Sequence, residues 1–111
     1  MMLLAALLAA SAPNCAAAMT QADMSQCAAE RYRNADAALN AAWKKLMAQA
    51  GASKPAYVAA QRLWIQYRDA DCAAEGKASE GGSIHGMVLS DCLAQLTEVR
   101  TRRILLLTQG H

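Results

Sequence analysis

The chain has no phenylalanine, only two histidines, and no charged residue among its first 22. Each shortage excludes something. A nucleophile–base pair would need His85 or the C-terminal His111, and no G-x-S-x-G, H-E-x-x-H or phosphate-cradling glycine loop accompanies either. Nothing points to an enzyme or to a cofactor. A net charge of +2 without a basic stripe argues against nucleic-acid binding. Lys44-Lys45 and Arg100, Arg102, Arg103 are separated by acids and read as a solvated helical face. Asp71 and Glu75 share a helix face, but two surface acids one turn apart make no glycosidase cleft. Alternating strand patterns, internal repeats and low-complexity linkers are all missing.

The uncharged start is itself informative. Met1 to Ala10 consists of Leu, Ala and Met, followed by Ser11-Ala12. About ten apolar residues cannot span a bilayer, which takes about 20, but they match the core of a secretory signal. Residues 1–12 are therefore expected to be a signal peptide and 13–111 the mature domain, in the periplasm or secreted, with no membrane span. No Lys or Arg precedes the apolar core, and a cut after Ala12 would expose Pro13, so the cleavage point stays open. Asn14 before Cys15, where a small residue is needed, disfavours a lipid anchor.

The four cysteines are Cys15, Cys27, Cys72 and Cys92. An even count in a small exported chain points to two disulfides, with three connectivities open. A structural zinc site would favour close C-x-x-C pairs, which are absent, so no metal is expected.

Three apolar-periodic segments follow, each with helix punctuation. The first, about Thr20 to Ala50, opens on a T-x-x-D capping box and carries Met24, Cys27, Ala28, Ala35, Leu39, Ala42 and Leu46 on one face. Gly51 stops it. The second begins at Ser53 as N-cap with Pro55 in the first turn, and ends at Gly76. After a polar, Gly-rich connector, Ser83 can cap a third helix from about Ile84 to Thr108. Its expected apolar side is Val88, Leu89, Cys92, Leu93, Leu96, Val99, Ile104 and Leu107. Short connections make neighbouring helices antiparallel. The fold class expected is therefore all-α, an antiparallel three-helix bundle stapled by two disulfides. In that topology Cys27, Cys72 and Cys92 fall at one end, within reach of Cys15. Trp43, Trp64, Tyr32, Tyr57 and Tyr67 read as packing residues. Arg68 and Asp69, with Asp36 of the first helix and Arg100 of the third, are expected to form structural ion pairs.

Taken together, the residues resemble a known family. Cys15-x4-Thr20-Gln21-x-Asp23-Met24-x2-Cys27, then Ala35-Asp36-x2-Leu39-Asn40, resembles the opening of the exported domain family of the lysozyme inhibitor LprI. The likeness continues through Ala60-Gln61-Arg62-x-Trp64-Ile65-x-Tyr67-Arg68-Asp69-Ala70-x-Cys72 and Gly81-Gly82-Ser83-Ile84-x2-Met87. It ends with Cys92-x3-Leu96-Thr97-x2-Arg100-x3-Ile104. Gly86 departs from the pattern, which favours Pro there, and should loosen the start of the third helix. The resemblance implies an exported, helical, disulfide-containing domain and, for at least one member, lysozyme inhibition. The pairing expected is Cys15–Cys27 with Cys72–Cys92, and Cys15–Cys72 with Cys27–Cys92 is its alternative. An inhibitor would need a protruding segment, and the Glu75–Gly86 connector with Lys77, Ser79, Ser83 and His85 is the candidate. The other reading is an envelope interaction module with an unrelated protein partner.

Overall fold

The structure, a computed structural model, describes residues 15–110. The expected leader, its cleavage point and His111 lie outside the described residues. Helix α1 spans Gln21–Gln49, α2 Lys54–Gly76 and α3 His85–Gln109, with 3-10 turns at Cys15–Ala17, Gly51–Ser53 and Lys77–Ser79. The described residues contain no strand, so the all-α class holds.

Helix α1 starts as its sequence dictates: the Asp23 amide donates to the Thr20 hydroxyl at 3.0 Å, satisfying one of the first turn's orphan N–H groups. It buries Ala28, Ala35, Leu39, Ala42 and Leu46, spaced so that one face carries them all. Beyond its end Gly51 takes a φ of 54°, a conformation without steric cost only for glycine. The other two starts differ from expectation. Ser53 is itself helical (φ −81°, ψ −8°) and makes no capping bond, because the 3-10 turn at Gly51–Ser53 runs directly into α2. Capping needs an extended backbone that Ser53 does not have. Ser83 does not cap α3 either. Ile84 precedes the helix with no side-chain bond, and the turn is closed by the His85 amide on the Gly82 carbonyl at 3.3 Å.

Contacts along the helices define their directions. Gln61 meets Arg100 and Cys72 is bonded to Cys92, so α2 runs opposite to α3. Gln21 approaches Met87 and Arg31 reaches Glu98, so α1 and α3 run the same way. The closest helix pair is α1 with α3, while the backbones of α1 and α2 scarcely approach each other. Side-chain size accounts for this. Many of the residues that α1 and α3 bury are small, Ala28, Ala35 and Ala42 on one helix and Ala94, Thr97 and Thr101 on the other, beside the larger Leu39, Leu46 and Ile104. Larger side chains from α2, Tyr57 and Trp64, pack against the core of Leu39, Ala42, Leu46 and Ile104.

The expected face of α3 is buried or half-buried at Val88, Leu89, Cys92, Leu93, Leu96, Ile104 and Leu107, and is corrected at one position. Val99 is 49% exposed, whereas Thr97 is fully buried and Thr101 nearly so. A helix in close contact with α1 presents small residues to it, whatever their polarity, and leaves Val99 half-exposed. The Thr101 hydroxyl donates back to the Thr97 carbonyl at 2.9 Å, a within-helix bond that removes its burial cost. The Thr97 hydroxyl finds no partner among the described residues.

Both disulfides form, Cys15–Cys27 and Cys72–Cys92, each with Cα atoms 5.6 Å apart, and no described cysteine is free. This settles the connectivity that spacing had left open. Cys15–Cys27 ties the N-terminal turn to α1; Cys72–Cys92 ties the end of α2 to the early part of α3. A buried hydroxyl without a partner costs about 1–3 kcal/mol. Replacing Thr97 by Val, which keeps the shape, is therefore expected to raise the thermal midpoint by several degrees, followed by circular dichroism. A lowered midpoint would show that the hydroxyl is satisfied.

Candidate functional site

The connector between α2 and α3 is short, exposed and internally bonded. Lys77, Ala78 and Glu80–Ile84 are all exposed. Ser79 and His85 are not: the Ser79 hydroxyl donates to the Gly76 carbonyl at 3.0 Å and lies 3.0 Å from His85 Nδ1. With its proton on Gly76, that hydroxyl serves as acceptor for an Nδ1–H of His85. The Gly82 amide closes a further turn on the Ser79 carbonyl at 3.0 Å. Gly76 sits where a Cβ would lie 2.8 Å from Leu89 Cδ2 and 3.2 Å from His85 Cε1, so any larger residue would have to displace these side chains. The Cys72–Cys92 bond lies about one turn below. The four candidate residues thus divide in two. Ser79 and His85 hold the connector together, while Lys77 and Ser83 face outward. Lys77 has only Glu80, at 3.5 Å, as an exposed partner.

The residues expected to form ion pairs occupy the inner side of α2 and its neighbours, in a different arrangement. Arg68, with a side chain 11% exposed, pairs with Asp69 beside it at 2.9 Å. Its guanidinium lies 5.3 Å from the centre of the Trp64 ring and 5.8 Å from that of Tyr32. Arg68 therefore fills the space between α1 and α2 by stacking, with Asp69 as an outer partner. Asp36 does not meet it; it accepts a weak 3.4 Å bond from Asn40 one turn on. Arg100 also finds no acid. It donates to the buried Gln61 at 2.8 Å and lies 5.7 Å from the Trp64 ring. Burial, and then the charge of Arg103, lowers its pKa from the usual guanidinium value. Asp36 and Arg100 thus form no ion pair with Arg68 and Asp69, because Trp64 lies between the helices and the cations engage its ring.

The inter-helix ion pair is one the sequence did not suggest. Arg31 of α1 grips Glu98 of α3 with two bonds, Nε at 3.1 Å and Nη2 at 2.8 Å, and its Nη1 is 3.5 Å from Asp91. These residues cross a groove of about 860 Å³ between α1 and α3, floored by Ala28, Ala35, Ala38, Met24 and Met87. The bond from Arg31 holds the Glu98 carboxyl below the ordinary carboxylate range. Among the described residues no His, Cys, Asp and Glu cluster could hold a metal, and no helix is long and apolar enough to cross a membrane.

Two measurements test these roles. Arg68→Ala removes a largely buried stack and is expected to lower stability by about 1–2 kcal/mol; Arg68→Lys, which loses the planar fork, should recover little of it. Full recovery in the lysine variant would mean that charge alone matters. The clasp should respond to acid. Because the Glu98 pKa is depressed in the fold, its contribution is complete above the ordinary carboxylate range and fades as pH falls through the folded value. A half-exposed pair is worth about 0.2–1 kcal/mol. Comparing thermal midpoints at pH 7 and pH 3, Glu98→Gln should lose less stability on acidification than the parent.

With the geometry in place, comparison with known proteins locates the chain. The family model described as lysozyme inhibitor LprI matches residues 12–104. An uncharacterised protein of Rhizobium meliloti (strain 1021) is 38% identical over 106 residues, which cover 83% of this chain and 76% of that relative. No solved structure matches. Two disulfides on three helices, with a match running from the N-terminal turn into the last helix, make this chain a member of the LprI lysozyme inhibitor family.

Proposed function

We propose that this protein is exported to the cell envelope and blocks a lysozyme with the connector that follows α2. The observation that carries this reading is the connector's construction: exposed side chains on a backbone fixed by Ser79–His85, by the Ser79 bond to the Gly76 carbonyl and by the Cys72–Cys92 bond. A loop held this way loses little entropy on binding. Lysozyme clefts carry two catalytic carboxylates, and an ammonium group is a natural ligand for them. Lys77, held only by a 3.5 Å contact to Glu80, can exchange that partner for an acid of the enzyme. Asp71, Glu75 and Glu80 around it supply complementarity to a cationic enzyme surface, although the chain's net +2 gives no global steering. The uncharged, apolar start and the two disulfides support export to an oxidising compartment.

A second reading is favoured by one observation. Gln61, Trp64, Arg68 and Arg100, all prominent in the family resemblance, hold the helices together rather than facing outward. They specify the scaffold, so a member could present the same scaffold to an unrelated envelope protein. The deciding experiment is a cell-wall lysis assay with purified oxidised protein against several lysozyme types. Inhibition is expected, with Lys77→Ala and Ser83→Ala together weakening it at least tenfold at unchanged helicity. An undiminished double variant would move the interface off the connector. Failure of the parent against every lysozyme tried would leave the interaction-module reading.

A further inference from the structure

The charges of the molecule are sorted by end. Along the chain the basic clusters are separated by acids, but in the fold they are not. Residues 37–49 of α1, 54–67 of α2 and 99–109 of α3 contain no Asp or Glu, and they come together where Leu46, Tyr57 and Leu107 meet. All nine acids lie outside this end, on the side of the disulfides and the connector, and Arg31, Arg33, Arg68 and Lys77 sit among them in ion pairs. The acid-free end carries six exposed cations, Lys44, Lys45, Lys54, Arg62, Arg102 and Arg103, none of which forms an ion pair among the described residues. Glu98, one turn before Arg102, feels its charge but places both oxygens on Arg31. Arg103 crowds the half-buried Arg100 and adds to the lowering of its pKa. Apolar side chains stand among these cations. On the outer side of α3, Val99, Arg102, Arg103 and Leu106 follow at helical spacing and share one face, with Val99 49% and Leu106 61% exposed.

We propose that this end docks peripherally on an anionic phospholipid bilayer, with Val99 and Leu106 entering the headgroup layer and Arg102 and Arg103 meeting lipid phosphates. The occupant follows from what the surface combines. Arginine stems lie along apolar surface while their guanidinium groups reach phosphate, and an exposed leucine beside them finds apolar surroundings at the acyl boundary. The other cations are spread over three helices, which suits an extended negative sheet better than a single acidic side chain. A nucleic acid would use the charge but would offer nothing to Val99 and Leu106. A second copy laid face to face would set Arg102 and Arg103 against their own counterparts, like charge on like. Attraction between exposed charges also makes the docking salt-sensitive, since it is screened over about 8–10 Å at moderate ionic strength. The connector lies at the opposite end, so lysozyme inhibition and lipid docking can fail separately.

The test is co-sedimentation of the purified oxidised protein with vesicles of phosphatidylcholine, either alone or mixed with phosphatidylglycerol. Binding to the anionic vesicles is expected to be at least tenfold tighter than to the neutral ones, and at least tenfold weaker at 0.5 M than at 0.05 M NaCl. Replacing Arg102 and Arg103 together by Gln should weaken it at least tenfold at unchanged helicity. Leu106→Ser, at an exposed position, should weaken it severalfold even if the double variant misfolds. Arg33→Glu, which removes the same charge at an exposed position among the acids, should change it less than twofold. Equal binding to both vesicles, indifference to Leu106→Ser, or an equal loss with Arg33→Glu would overturn the proposal. So would tighter binding to a DNA duplex than to the vesicles, or a vesicle-free oligomer that the double variant dissolves, since the occupant would then be a nucleic acid or a second copy of the chain.

Discussion

The close approach of α1 and α3 is the constraint on which the remaining structure depends. Two helices can bring their backbones together only where side chains are small, and alanine at positions 28, 35, 42 and 94 with threonine at 97 and 101 supplies that seam. Once this pair is set, α2 has to complete the core from the side with large residues. Tyr57 and Trp64 do so, and the space left between α1 and α2 is occupied by the Arg68 guanidinium rather than by hydrocarbon. The same small residues produce the groove on α1, because alanines that permit contact with α3 leave little bulk next to it. Core, stacked arginines and groove are thus three results of one choice of side-chain volume.

The stacked cations show how a polar residue can act as packing material. Arg68 and Arg100 both lie within about 6 Å of the Trp64 ring, and each has one polar partner, Asp69 and Gln61. Guanidinium groups are more weakly hydrated than ammonium and present a flat face, so they tolerate this half-buried setting where lysine would not. With no phenylalanine in the chain, this layer takes the place of an aromatic cluster.

Much of this was legible in the sequence, and the rest was hidden for identifiable reasons. The three helices, the buried face of α1 and the cysteine framework followed from period, caps and spacing. Most of the apolar face of α3 did too, but a helix touching two neighbours also buries Thr97 and Thr101 and leaves Val99 exposed, which no polarity pattern marks. Ser53 and Ser83 looked like caps, but a side chain caps only if the backbone before the helix is extended, and the adjoining turns decided otherwise. Arg31–Glu98 joins residues 67 apart, and no local pattern marks such a pair. The connector was recognisable as an exposed segment. That Ser79 and His85 hold it together while Lys77 and Ser83 do not depends on how closely Gly76 lets α2 meet α3.

The two disulfides sit at the same end of the molecule, since Cys15–Cys27 lies at the start of α1 and Cys72–Cys92 near the start of α3. The opposite end, where Gln49, Ser53, Tyr57, Leu46 and Leu107 meet, is held by side-chain contact alone. Opening fluctuations therefore start far from the connector and encounter covalent resistance as they travel toward it. Amide exchange should grade along the helices, fastest around the α1–α2 junction. The covalent links thus favour keeping the shape of the connector end when side-chain packing at the other end loosens.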